Sequence, residues 1–195
     1  MKILTIGAAL AAMALAGTAQ AQEAQQLRHG APIPGLCVLN LQGVFGRSTA
    51  GQGLASRLQQ LQQEVAGELA PYQQAIETEG QALETSGASL SEAERQQRAG
   101  ALQQRYTEYQ QLRQTRVQEL EYTEFVQRRA LAAAADPIVA AVYQERGCSI
   151  LLNRAEVFQL NPEMDISELV LQRLNSQVPS LPAFNRMPVP VQQQQ

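Results

Sequence analysis

Residues 47–146 carry a helical repeat too sparse in large apolar side chains to bury itself, and this limits what the chain can fold into. Over residues 47–84 the large apolar positions are Leu54, Leu58, Leu61, Val65, Leu69, Tyr72, Ile76 and Leu83. Their steps of three, four and seven keep to one face of a helix. Glu and Gln fill much of the remaining surface, so the pattern is a solvated rod with a narrow apolar seam. Pro71 falls inside it and predicts a kink or a local break. Residues 85–91, TSGASLS, end this helix at Gly87 and begin another, since Ser91 followed by Glu94 makes a capping box. The second helix is expected to run to about Arg146, where Gly147 stops it. Its large apolar residues are uneven: Leu102, Tyr106, Tyr109, Leu112, Val117, Leu120, Phe125 and Leu131. A short connection between two long helices implies an antiparallel hairpin.

At 1.5 Å per residue the two helices would be ~57 Å and ~80 Å long. The surplus of the second is ALAAAADPIVAAVYQERG, residues 130–147, small and apolar with a bend expected at Pro137. This stretch suits packing on a sheet. A first strand is expected over residues 36–41, with Cys37, Leu39 and Leu41 on one face and Leu36 and Val38 on the other, so both faces need cover. Gly43, Gly46, Gly51 and Gly53 would then loosen the chain. Residues 148–153, CSILLN, read as a second strand and residues 156–160 as a third. Asp165 would cap a final helix bearing Ile166, Leu169, Val170 and Leu174, with Glu168 at the capping-box position. The expected fold class is α+β: a small β body (residues 36–46 and 147–177) with a helical arm (residues 47–146) inserted between its first and second strands. A two-helix seam of single apolar residues buries little area. Three strands with apolar residues on both faces also close no good sheet, so the body is expected to oligomerise. Its expected core is Leu36, Val38, Leu39, Leu41, Ile150, Leu151, Leu152, Val157 and Phe158.

Both ends of the chain read differently from this middle. Lys2, an apolar run over residues 3–16 and the small-x-small triplet Ala19-Gln20-Ala21 form a secretory signal peptide over residues 1–21. Its apolar run is too short to span a bilayer. Residues 22–35 read as a flexible leader, and residues 178–195, proline-rich and then polyglutamine, as an extended disordered tail. Export would place Cys37 and Cys148, the two cysteines, in an oxidising compartment. They either form a disulfide or stay as two buried thiols packing as small hydrophobes.

Composition excludes more than it assigns. Lys2 is the only lysine, so without the signal the charge moves from −3 to −4, with no basic stripe for nucleic acid. The one histidine, His29, lies in the leader, so no Ser-His-Asp or Cys-His constellation can be assembled from ordered segments. The cysteines lack metal-ligand spacing, and no GxxxxGK[ST] loop is present to hold a nucleotide phosphate. No cofactor is expected, and the chain does not read as an enzyme.

The stretch VLNLQGVFGRSTAGQG, followed by a Gln/Glu-rich hairpin, resembles the start of the Skp (OmpH-like) family of periplasmic chaperones. CSILLNRAEVFQLNPEMDISELVLQRLNSQ resembles that family's ending: strand, short turn, strand, Asn-Pro, Asp-Ile and a helix closing in Leu-Asn. The resemblance spans about residues 36–177. It implies a homotrimer in which β bodies join the subunits and three helical arms enclose unfolded outer-membrane β-barrel proteins without nucleotide. Client contacts would then fall on Tyr72, Ile76, Leu83, Leu102, Tyr106 and Tyr109, all of which hairpin packing alone would also explain. Many Skp-like arms are basic, but this chain is acidic and its Arg95, Arg98 and Arg105 are offset by Glu92 and Glu94. Lipopolysaccharide binding is therefore not carried over from the resemblance. The alternative reading is a structural or adaptor coiled-coil protein of the cell envelope.

Overall fold

The structure, a computed structural model, describes residues 28–190. The expected signal peptide, the leader up to residue 27 and residues 191–195 lie outside them. All the helices and strands described belong to one compact unit that begins at Ala31.

Strands β1 (Leu36–Leu39) and β2 (Ile150–Asn153) pair in parallel, with Leu36 opposite Ile150 and Leu39 opposite Asn153. A parallel pair needs a long crossover, and here the entire arm is that crossover. The other edge of β1 is met by a single parallel bridge from Val38 to Asp165, where the Ile166 N–H donates to the Val38 carbonyl at 2.9 Å. The third strand expected at residues 156–160 does not form. Arg154–Glu156 and Pro162–Met164 are single 3-10 turns instead. Asn153 and Asn161 start them by accepting, through their side-chain oxygens, from the N–H groups of Ala155 and Glu163. Such local bonds offer the backbone an alternative to a ladder. Without that strand, two expected core residues face outward: Phe158 is 94% exposed and Ile150 53%. Leu36, Leu151, Leu152 and Val157 are half-buried, whereas Val38 and Leu39 are buried.

Leu41 is not a strand residue. The Asn40 side chain accepts from the Gly43 N–H at 2.8 Å and starts α1 (Leu41–Arg47). Ser48, fully buried, then accepts from the Gly51 N–H and donates to the Phe45 carbonyl, turning the chain into α2 (Thr49–Ser86). Gly43 and Gly51 give close approach rather than looseness, whereas a Cβ on Gly46 or Gly53 would meet open space. A Cβ on Gly51 would stand 1.8 Å from the Phe45 oxygen, a clash only a backbone shift could relieve.

Helix α2 passes through Pro71 and α3 (Glu92–Glu145) through Pro137 without interruption, so the local break considered at Pro71 does not occur. Both prolines lie on exposed faces, where water can satisfy the carbonyl that loses its donor. Buried Ala135, Ile138 and Val142 hold α3 to the body on either side of Pro137. The capping box of Ser91 and Glu94 is formed, and Gly147 ends the arm at φ +64°. Before α4 (Ser167–Gln177) the cap position is Ile166. Asp165 accepts from the Ser167 N–H, while Glu168 pairs with Arg47 at 3.0 Å instead of closing a capping box. Val170 and Leu174 of α4 complete one core with Val44, Leu39 and the end of α3.

The expected disordered tail is also corrected over residues 178–190. These residues have no regular secondary structure, yet Leu181 and Phe184 pack on Ala50, Leu54 and Leu131 of the hairpin. Arg186 pairs with Glu68 of α2 at 2.9 Å and Glu119 of α3 at 3.0 Å, and Arg116 bridges the same two carboxylates at 2.6 and 3.1 Å. The Glu68 carboxyl is held below the usual range, chiefly by its hydrogen bond from Arg116. Desolvation opposes this, and Arg186 adds to it.

The structure joins Cys37 to Cys148 by a disulfide, with Cα atoms 5.7 Å apart and the two residues separated by 111 in sequence. Closing so long a loop constrains the unfolded chain. Reduction is expected to cost about 2–5 kcal/mol of stability, read from the urea midpoints of oxidised and reduced protein. Equal midpoints would contradict this. For Glu68 the sign is that of a depressed carboxyl. The stabilisation is present above its unfolded value and is lost as pH falls through the lower folded one. Glu68→Gln should therefore lower the melting temperature at pH 7, and the gap to wild type should close below about pH 4. A gap independent of pH would contradict this.

Candidate functional site on the helical arm

The hairpin changes character along its length. Near the body its seam is closed: Leu54, Leu61, Val65 and Leu131 are each at most 6% exposed, and Thr123 is fully buried. Beyond Val65 on α2 no residue is fully buried before Gly87, and on α3 none before Thr123. The distal half is therefore helix whose apolar side chains stay partly wet. That follows from the sequence, because one large apolar residue per turn on each helix cannot seal a two-helix interface.

Of the six residues singled out from sequence, Tyr72 is 51% and Tyr106 47% exposed, while Ile76, Leu83, Leu102 and Tyr109 are half-buried. Tyr72 and Ile76 come together in a recess of about 360 Å³ with Pro71, Ala75, Arg105 and Glu108. Tyr106 and Tyr109 follow Arg105 and Glu108 on α3 but do not line it. Leu83 and Leu102 lie nearer the tip. There the helices approach closely, and a Cβ on Gly80 would sit 4.0 Å from the Leu102 Cδ2. Leu102 thus meets the partner helix.

Sequence reasoning missed a second cluster closer to the body. Val117 is 45% and Phe125 54% exposed. Val117 lines a recess of about 270 Å³ with Leu58, Leu120, Gln62, Glu121 and Glu124, and Arg129 lies over the Phe125 ring at 5.7 Å. Both residues are visible in the apolar spacing of the second helix. Periodicity does not say which of those positions the partner helix leaves uncovered.

Charges along the arm are largely paired. Arg95 bonds Glu92 at 3.2 Å and Arg98 lies 3.9 Å from Glu79, so the arginines near the tip make no free basic patch. The Glu94 carboxyl is also lowered, first by the Ser91 hydroxyl and then by the Ser91 N–H; this is the cap of α3. Among the described residues no group of His, Cys, Asp and Glu is placed to hold a metal ion, and no helix is long and apolar enough to cross a membrane. The arm thus offers shallow recesses with partly apolar lining on an otherwise polar, Glu- and Gln-rich surface. Such a surface suits multiple loose contacts.

Comparison with known proteins agrees with this geometry. The sequence model of the OmpH-like outer membrane protein family matches residues 35–174. A solved structure of a candidate outer membrane chaperone (OmpH-like) from Caulobacter crescentus CB15 superposes with a TM-score of 0.77 at 30% identity, covering 87% of this chain and 98% of that one. No curated protein matches at a significant level. The matched span takes in both strands, the inserted hairpin and most of the closing helix, and the chain belongs to the OmpH-like family.

Proposed function

We propose that this chain is an ATP-independent holdase of the periplasm that binds unfolded outer-membrane β-barrel proteins and prevents their aggregation in transit. It would act as a homotrimer, with bodies joined and three arms enclosing the client. The observation that carries this reading is a helical hairpin that leaves Tyr72 and Tyr106 in its distal part, and Val117 and Phe125 nearer the body, about half exposed. Membership of a family that includes a candidate chaperone supports it. In this reading residues 1–21 are the export signal, residues 36–46 and 147–177 the body, and residues 47–146 the arm.

The mechanism is passive. An unfolded barrel protein exposes alternating apolar side chains and unpaired strand edges, both aggregation hazards in water. Covering the exposed half of one arm side chain gains about 1 kcal/mol. Several such contacts spread over three arms hold the client firmly in sum, while each releases easily. The arm carries more carboxylates than arginines and most of those arginines are ion-paired, so capture rests on apolar contact. It should depend less on salt than capture by a basic cage.

The test is light scattering of a urea-diluted outer-membrane β-barrel protein with and without the exported form, nucleotide absent, with oligomer mass measured in parallel. Aggregation should be suppressed at about one trimer per client. Serine at Tyr72, Tyr106, Val117 and Phe125 together should weaken holding several-fold without changing oligomer mass. A trimer that leaves aggregation untouched would favour an adaptor role instead, and a monomer would remove the cage.

A further inference from the structure

Residues 178–190, VPSLPAFNRMPVP, carry large apolar side chains at every third position, Val178, Leu181, Phe184 and Met187, and one more off that step, the exposed Val189. Those four are half-buried, while Pro179, Ser180, Pro182, Ala183 and Asn185 are exposed. A period of three belongs to a polyproline II helix, which has three residues per turn and no internal hydrogen bonds. Four prolines bias this backbone toward it. The segment therefore presents one apolar edge, and that edge lies along the root of the hairpin.

The hairpin contacts three distinct features of the segment. Val178, Leu181 and Phe184 pack against Ala50, Leu54 and Leu131. Two main-chain groups are bonded: the Phe184 carbonyl accepts from Arg57 Nε at 3.2 Å, and the Met187 N–H donates to the buried Thr123 Oγ1 at 2.8 Å. One cation, Arg186, sits between Glu68 and Glu119, on different helices. Arg57 also donates to the Asn185 side-chain oxygen at 2.9 Å. Apolar pockets at a fixed period, main-chain bonds and a charge contact are what a groove for extended peptides uses. Yet none of the segment's large side chains is fully buried, so the seat is shallow and open to exchange.

We propose that the hairpin root is a peptide-binding site, that residues 178–190 are its tethered ligand, and that an extended apolar segment of another chain competes with them for it. Taking that competitor to be an unfolded client rests on the proposed holdase function. Tethering gives the resident segment an effective concentration on the order of millimolar. A single short apolar stretch displaces it only when supplied at a comparable concentration; a long unfolded chain engaging several arms at once does so at a much lower one. Displacement would open Leu54 and Leu131 next to the recess at Leu58 and Val117, and would leave Glu68 and Glu119 to favour a competitor that carries a cation. The tail would thus set a threshold for what the arm accepts.

Fluorescence anisotropy of a labelled synthetic peptide of residues 178–190 tests the site. The full-length chain is used as wild type and with Leu181→Ser, Phe184→Ser and Arg186→Glu combined. The peptide should bind the variant saturably and the wild type at least tenfold more weakly. Binding to neither, or equally to both, would overturn the proposal. Should the variant misfold, the isotope-labelled wild type supplies the answer through exchange of the Met187 amide. Excess unlabelled peptide should speed that exchange in a concentration-dependent way, and no change would overturn the site. Adding an unfolded β-barrel protein should speed it too. Acceleration by peptide but not by the barrel protein would leave the site standing and overturn only the client as competitor.

Discussion

The parallel pairing of β1 with β2 is the contact on which the rest of the chain hangs. Four residues of each strand bring together the two ends of a crossover that contains both long helices, and the disulfide beside them holds the same junction. Two short strands alone would be marginal. The end of α3, α1 and α4 therefore pack around them, and Val44, Val142, Val170 and Leu174 leave no gap there. With its root fixed in this way, the hairpin can extend without a partner along most of its length.

The same division explains the arm. Its root is sealed by Leu54, Leu61, Val65 and Leu131 and by the segment that follows α4. The distal part depends on backbone hydrogen bonding, caps and helix-forming residues for its persistence. Helicity maintained by propensity leaves the side chains free for something else. A bundle that buried these residues would be more stable and would have no surface to offer.

Much of this was legible in sequence, and what was not has identifiable causes. Hairpin, body and closing helix followed from apolar spacing, the Ser91 and Glu94 pair and Gly147, signals strong enough to survive tertiary context. The third strand did not form because turns begun by Asn153 and Asn161 close in on it from both ends and the Val157 N–H and carbonyl are both bonded to Arg154, a competition invisible to alternation counting. A kink or break is expected at Pro71 and a bend at Pro137 because sequence does not show that both prolines lie on an exposed helix face. The tail was misread for a related reason. Proline-rich composition reads as disorder, but the period of three in Val178, Leu181, Phe184 and Met187 was the available sign of an ordered strap. In the candidate site, Tyr72 and Ile76 were brought together as spacing suggested, while Val117 and Phe125 emerged only once the seam's geometry placed them outside it.

The central claim is that the arm's uncovered apolar side chains are the surface that meets an unfolded chain. Photo-crosslinking tests it most directly, with a photoreactive phenylalanine analogue placed singly at Tyr72, Tyr106, Val117 and Phe125, and at Phe158 on the body as a comparison. On mixing with a urea-diluted outer-membrane β-barrel protein, adducts are expected at the four arm positions and not at Phe158. Adducts at Phe158 with none on the arm, or none at any position while aggregation is still suppressed, would contradict the account.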